Sequence, residues 1–391
     1  MTNPTDTNPT IAGHPAPGPL LAPPARPGDP LDAVDTPALL LDLDASDANV
    51  AALHAQAAAA GLAVRAHGKA HRCPRLALRQ IAAGAIGLCV QKVGEAEGFA
   101  AAGVRDILVT NEIVSPDKCL RLARLATLPG MRIATCVDDP LQVERLAAAC
   151  ASAGSRVEVL IEVDVGQQRC GVVAPAQALA IAEAIDRAAP HLALRGLQAY
   201  HGRAQHLRGA GERAEAVARA AAVAREFRAA LERAGHPVNE ISGGGTGSFP
   251  NEAGAGVWTE LQAGSYALMD LDYRANAADP AAPRLRQALG VMTTVISRRA
   301  SHAVLDGGLK SFAVDSGLPA MRDPRWKVVG LSDEHTVIQP LEGAAPLALG
   351  QRVILDPGHC DPTVNLHDWI VAYRGNAVEA VWPVLPRGAS R

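Results

Sequence analysis

The stretch DILVTNEIVSPDKCLRLARLATLPGMRIATCV, residues 106–137, decides the fold. It opens on a short apolar run, DILVT (106–110). It passes through SPDKCLRLARLA, with apolar residues at helical spacing, and returns to a second short run, RIATCV (132–137). Short buried strands separated by a helix predict parallel pairing, because two parallel strands need a crossover of this length between them. The same rhythm extends both ways. LAVRAH (62–67), AIGLCVQ (85–91), RVEVLIEVDV (156–165), LALRGLQAY (192–200), VNEISG (238–243) and VWTELQAG (257–264) are the remaining strand candidates. Between them lie Ala-rich helical stretches such as 212–235, which closes on Gly235. Eight such units in succession predict a (β/α)8 barrel, with an open doubly wound sheet as the alternative of equal periodicity.

Past about residue 275 the pattern changes. The runs ALGVMTTVISRR, HAVLDGGLK, WKVVGLSDEHTVIQP, GQRVILDPGH, WIVAYRG and AVEAVWPV are of β type and are broken by Gly, Asp and Pro. They predict a smaller, mainly antiparallel β domain over 276–391, after a barrel over 31–275. The run TPALLLDLD (36–44) precedes the barrel rhythm and is expected to pair with the β domain. Residues 1–30, rich in Pro and polar residues, read as a flexible lead-in without the basic and apolar regions of a secretory signal.

Composition narrows the function classes. Of the 391 residues 48% are hydrophobic and 20% charged, with a formal net charge of −3, as in ordinary globular proteins. No basic stripe invites nucleic acid, and no apolar run has the length of a membrane span. Seven Cys, an odd number without a CxxC pair, fit reduced thiols and a cytoplasmic location.

If the chain is a barrel, its chemistry gathers where the strands end. Polar residues follow each strand candidate: His67 with Lys69, Gln91, Asn111, Asp138, Asp164 with Arg169, Tyr200 with His201, then SGGGTGS (242–248) and QAGSY (262–266). A buried lysine with a lowered pKa can form a Schiff base with an aldehyde cofactor, which makes Lys69 a candidate; a surface lysine is the plain alternative. The Gly-rich run can turn backbone N–H groups toward a phosphate, with Thr246 adding a hydroxyl, in the seventh βα loop, where phosphate sites recur. It matches neither the Walker loop nor the dinucleotide fingerprint. Gly264, Ser265 and Tyr266 can complete such a cradle. A Schiff-base lysine beside a phosphate site on a barrel points to pyridoxal phosphate.

In DPGHCDPTVNLHDW (356–369) an extended backbone would put His359 and Asp361 on one face and Cys360 on the other. Histidine with a carboxylate suits a divalent cation such as Mn²⁺ or Mg²⁺, with a hydrogen-bonded turn as the plain alternative.

With these motifs in this order, the chain resembles the fold-type III pyridoxal phosphate enzymes, and within them the D-threonine aldolase, 3-hydroxy-D-aspartate aldolase and D-serine dehydratase family. The resemblance runs from about residue 30 to the C-terminus, through DTPALLLDLD, HGKAHRCP, CVQKVGEAE, VTNEIV, EVDVGQQRCGV, LQAYHG, SGGGTGS, ELQAGSYALMD, SDEH and GHCDPTVNLHDW. It implies that Lys69 carries the cofactor. Tyr200 would meet the pyridine nitrogen, and Arg169 would lie near the cofactor O3′ or the substrate carboxylate. Thr246, Gly247, Gly264 and Ser265, with Tyr266, would bind the phosphate. His359 and Asp361 would hold the cation in the His-x-Asp form of the aldolases, where the dehydratases have His-x-Cys.

The implied substrate is a small D-β-hydroxy-amino acid, cleaved between Cα and Cβ to glycine and an aldehyde. The alternatives are a 3-hydroxy-D-aspartate aldolase giving glyoxylate, or a D-serine or 3-hydroxyaspartate dehydratase. His206, or a metal-bound water, is the candidate base. His67, His71 and His335 are candidates to touch cofactor or substrate. A homodimer is expected, because active sites of this fold type commonly include residues of a second subunit.

Overall fold

The computed structural model describes residues 22–280 and 282–391; most of the expected lead-in, 1–21, lies outside the described residues. The described part of it is tied down. Gly28 N–H donates to Val378 O (2.8 Å), and Val378 N–H donates to Asp29 O (2.9 Å).

The strand β1 (Ala38–Asp42) and the helix Leu43–Ala59 precede a closed barrel. Its strands are β2 (Ala63–His67), β3 (Gly87–Val90), β4 (Asp106–Glu112), β5 (Arg132–Val137), β6 (Val157–Glu162), β7 (Leu192–Ala199), β8 (Glu240–Gly243) and β9 (Glu260–Leu261). All eight neighbouring pairs are parallel, including β9 with β2, so the ring closes and the open sheet is excluded. The run 257–264 contributes only a two-residue strand, because it must pair with Ala63–Val64 on one side and Ser242–Gly243 on the other at the point of closure. A helix follows each of β2 to β8. The eighth place is filled by Leu43–Ala59, whose Val50, Leu53 and Ala57 pack with Leu261 and Ala263.

Side chains alternate along each barrel strand. In β6, Val159 and Ile161 join the shell of helices, while Leu160 faces inward with Cys89, Leu108, Ala134 and Cys136. Below this small apolar layer lies a charged one. Arg65 has no exposed side-chain surface and pairs with Glu260 (3.0 Å) and Asp106 (2.5 Å); Arg195 pairs with Glu240 (2.5 Å) and Glu158 (3.5 Å). Above it lies a polar layer of His67, Gln91, Thr110, Gln198 and Gln262, which opens into a cavity.

The other sheet is built from β10 (Leu289–Arg298), β11 (Ala303–Leu305), β12 (Ala320–Met321), β13 (Trp326–Leu331), β14 (Thr336–Pro340), β15 (Arg352–Asp356), β16 (Trp369–Arg374) and β17 (Ala377–Pro383), together with β1. The β1 strand lies antiparallel to β10 and parallel to β16, the one parallel pair in this sheet. β10 pairs with β1 through Leu289–Met292, with β15 on its other edge through Val291–Thr294, and with β11 through Val295–Arg298.

Breaking a buried ion pair from one side strands the other charge in low dielectric. Arg65→Ala is therefore expected to cost about 3–5 kcal/mol. The check is the urea midpoint of the variant; a midpoint equal to the parent's contradicts this role.

Candidate active site

Lys69 stands in the 3-10 turn Gly68–Ala70, directly after β2. Its Nζ donates to Asp361 Oδ2 at 2.9 Å, and 41% of its side chain remains accessible. The Asp361 carboxylate holds the ammonium well above the ordinary lysine range, outweighing burial. The sequence-based expectation of a lowered pKa is therefore corrected: the lysine is paired. Burial alone would raise the Asp361 carboxyl, but Lys69 pulls it below the usual carboxylate range.

The segment carrying Asp361 also differs from expectation. Only His359 is extended (φ −139°, ψ 126°); a short helix begins at Cys360 and runs to Val364. His359 caps it, and Asp361 lies in its first turn. Nδ1 of His359 lies 2.6 Å from Asp315 Oδ2. A neutral imidazole that donates there keeps Nε2 for a cation, the arrangement by which carboxylates orient ligating histidines. Cys360 is buried in the β-domain core, and its thiol donates to Asp361 Oδ1 (3.3 Å).

The cavity above the polar layer, about 390 Å³, is lined by Lys69, Arg169, Tyr200 and His206 among others. Burial raises the Tyr200 hydroxyl above its ordinary value, with Lys69 and Arg169 opposing, so it stays neutral. The Arg169 guanidinium lies 6.0 Å from the Tyr200 ring centroid. His206 pairs through Nδ1 with Asp272 (2.5 Å), which also takes Arg208. Burial and the nearby Lys69 push His67 down to about 3, so it is neutral, and its Nδ1 has no partner among the described residues.

The residues fit pyridoxal phosphate. Thr246 Oγ1 is buried without a hydrogen-bond partner among the described residues, in the Gly-rich turn, as a hydroxyl reserved for an anion would be. The turn is packed to backbone contact: a Cβ on Gly247 would lie 2.2 Å from Gln205 O, and one on Gly264 2.9 Å from His67 O. Gly247 N–H donates to Gln205 Oε1 (2.9 Å). Ser265 Oγ faces Asp361 Oδ1 at 3.4 Å.

Two expectations are corrected. The Tyr266 side chain packs beneath the helix Leu43–Ala59, with its hydroxyl bonded to Gln80 Nε2 (3.1 Å) and His54 Nε2 (3.0 Å). Sequence adjacency to Gly264 and Ser265 did not show that its ring turns away from the turn they form. His71 is also a core residue, fully buried, with Nε2 donating to Gln80 Oε1 (3.1 Å) and Nδ1 accepting from Cys73 N–H (3.0 Å). His335 is exposed in the single chain.

The comparisons bear on this geometry. The family model of the alanine racemase N-terminal domain matches residues 41–271, and that of a serine dehydratase domain matches 288–373. The chain belongs to the fold-type III pyridoxal phosphate enzymes. It is 46% identical to a D-threonine aldolase of Arthrobacter sp. over 377 residues, covering 96% of this chain and 98% of that one. It is 42% identical to a 3-hydroxy-D-aspartate aldolase of Paracoccus denitrificans over 374 residues, covering 93% and 95%. The crystal structure of D-threonine aldolase from Filomicrobium marinum superposes with a TM-score of 0.91 at 41% identity, covering 94% of this chain and 100% of that one. Membership of this family implies pyridoxal phosphate as cofactor.

Sequence reasoning missed an acid cluster beside Arg169. Glu112, Asp138 and Cys170 bring one ligand atom each within 4.8 Å of one another. Glu162, at the end of β6, joins them, 3.9 Å from Arg169. Burial, and then the Glu112 charge, push the Glu162 carboxyl well above its ordinary range, and the Cys170 thiol is pushed up to about 12 for the same reasons. The inward alternation of β6 was the available signal, but only residues after the strand had been singled out. In the folded chain Glu162 keeps a proton that the unfolded chain loses, so stability falls as pH rises above the ordinary carboxyl range. Glu162→Gln should flatten that decline, measured as melting temperature from pH 5 to 9; an unchanged slope contradicts it.

Proposed function

We propose that this enzyme is a D-threonine-aldolase-type carbon–carbon lyase. It cleaves D-β-hydroxy-amino acids, D-threonine and its relatives, to glycine and an aldehyde, with pyridoxal phosphate on Lys69 and Mn²⁺ or Mg²⁺ at His359 and Asp361. The observation that carries the reading is the 2.9 Å contact between Lys69 Nζ and Asp361 Oδ2. It brings the cofactor-bearing nitrogen and a cation ligand to one point. With Lys69 engaged by the cofactor, Asp361 loses its ammonium partner and becomes available to the cation.

Bound pyridoxal phosphate supplies an electron sink for charge left on Cα, and a divalent cation supplies a Lewis acid for the β-hydroxyl. The chain's own residues do the rest. Thr246, Gly247, Gly264 and Ser265 form the phosphate turn. Tyr200 presents a neutral hydroxyl to the pyridine ring. Arg169 offers a guanidinium to a carboxylate or to O3′. Asp272 fixes His206 through Nδ1, which leaves Nε2 to take the proton of the β-hydroxyl. A homodimer in the cytoplasm completes the reading. It is supported by the fold type and by seven free cysteines, six of them buried. No helix among the described residues is long and apolar enough to cross a membrane.

With pyridoxal phosphate and Mn²⁺, D-threonine should yield glycine and acetaldehyde while L-threonine stays intact. Ammonia and a keto acid without glycine would overturn the proposal. His206→Gln should lower kcat by about 10²–10⁴. Chelation should abolish activity and Mn²⁺ restore it; full activity in excess chelator would exclude the cation from the reaction.

A further inference from the structure

Arg203 and His206 stand on the 3-10 turn Gly202–His206, which follows β7. Residues three apart in such a turn eclipse one another, so the two project on one side, and both line the cavity that holds Lys69. Their electrostatic settings differ. Lys69 has Asp361 at 2.9 Å and His206 has Asp272, while Arg169, 3.9 Å from Glu162, is the guanidinium assigned above to O3′ or a carboxylate. Arg203 makes no ion pair among the described residues. Its Nη1 donates to Gln168 Oε1 (3.1 Å), and its backbone N–H donates to Gln167 Oε1 (2.7 Å), both neutral amides.

The base of Arg203 is held firmly. Asp164 accepts the N–H groups of Gly166 (2.9 Å) and Gln168 (3.0 Å) and so shapes the loop that presents both glutamines. Gly202 fits against that loop so closely that a Cβ there would lie 2.6 Å from Gln167 Oε1. The guanidinium itself is exposed, with donors to spare. An arginine without a carboxylate, on a fixed mount at a substrate cavity, matches a carboxylate bidentately.

We infer that Arg203 is a specificity-determining residue that binds a carboxylate on the substrate's Cβ, so that the site accepts 3-hydroxyaspartate-type substrates. The inference rests on the aldolase reading, with His206 beside the β-hydroxyl: a carboxylate on the same carbon then falls to the residue stacked on His206.

The test has two arms, both on the cofactor-loaded enzyme. In the first, kcat/KM is measured for D-3-hydroxyaspartate and for D-threonine. In Arg203→Gln the ratio of the first to the second should fall about 10- to 100-fold, and Arg203→Lys should recover part of it. In the second, calorimetry compares the binding of D-aspartate, which has the second carboxylate but no β-hydroxyl to cleave, with that of D-alanine. The preference for D-aspartate should fall by a similar factor in Arg203→Gln. Ratios within threefold of the parent in both arms would overturn the inference. If the parent releases glycine from neither substrate, the aldolase reading fails on its own, and the D-aspartate arm still decides whether Arg203 binds the carboxylate.

Discussion

One ion pair organises the open end of the barrel. Lys69 belongs to the turn after β2, and Asp361 to a short helix some 290 residues later in sequence, at the end of the β-domain loop. Neither charge is satisfied within its own segment. Their meeting requires the β domain to be seated against the barrel, and other bonds hold it there. Asp270 accepts the Cys360 N–H (2.8 Å), Leu271 N–H donates to Pro357 O (3.1 Å), and Arg274 pairs with Asp356 (3.0 Å). The segment Asp270–Arg274, which follows the turn Ser265–Ala267 after the barrel's last strand, is thus a latch between the two parts, and its Asp272 also fixes His206. The candidate base and the candidate cation ligands are thus placed around Lys69 by one set of contacts.

The barrel interior explains why the site sits at this end. The lower layer is a closed network of Arg65, Arg195 and their carboxylates, in which most charges are already paired. The middle layer is small and apolar. The upper layer keeps polar groups without a partner among the described residues, the Nδ1 of His67 and the hydroxyl of Thr246, beside a proton held among Glu112 and Glu162. Buried polar atoms without partners are costly, and functional sites are where such atoms are kept in reserve. Keeping Glu162 protonated has a further consequence. Arg169 is not neutralised by a full carboxylate and retains its charge for a ligand.

The barrel strands were legible because each is a short apolar run with a helix-period stretch behind it, and β1 announced itself by lying outside that rhythm. Lys69, the glycine turn and the 359–361 motif drew attention only together, through the order of motifs that carries the family resemblance. What the sequence could not show was direction. Tyr266 is two residues from Gly264, yet its ring turns into the core against His54 and Gln80. His71 sits two residues from Lys69 and faces Gln80 instead of the cavity. Asp361 reaches its place from the first turn of a helix, not from a strand. Partners distant in sequence, such as Asp315 for His359 and Asp272 for His206, have no local signature at all.

The most direct measurement is to load the protein with pyridoxal phosphate, fix the cofactor to the amine that carries it with borohydride, and map the modified peptide by mass spectrometry. The label is expected on Lys69 alone, with Lys69→Ala unlabelled. A label on Lys92, Lys118, Lys310 or Lys327, with Lys69 unmodified, would contradict the placement of the cofactor beside Asp361 and with it the site built around that pair.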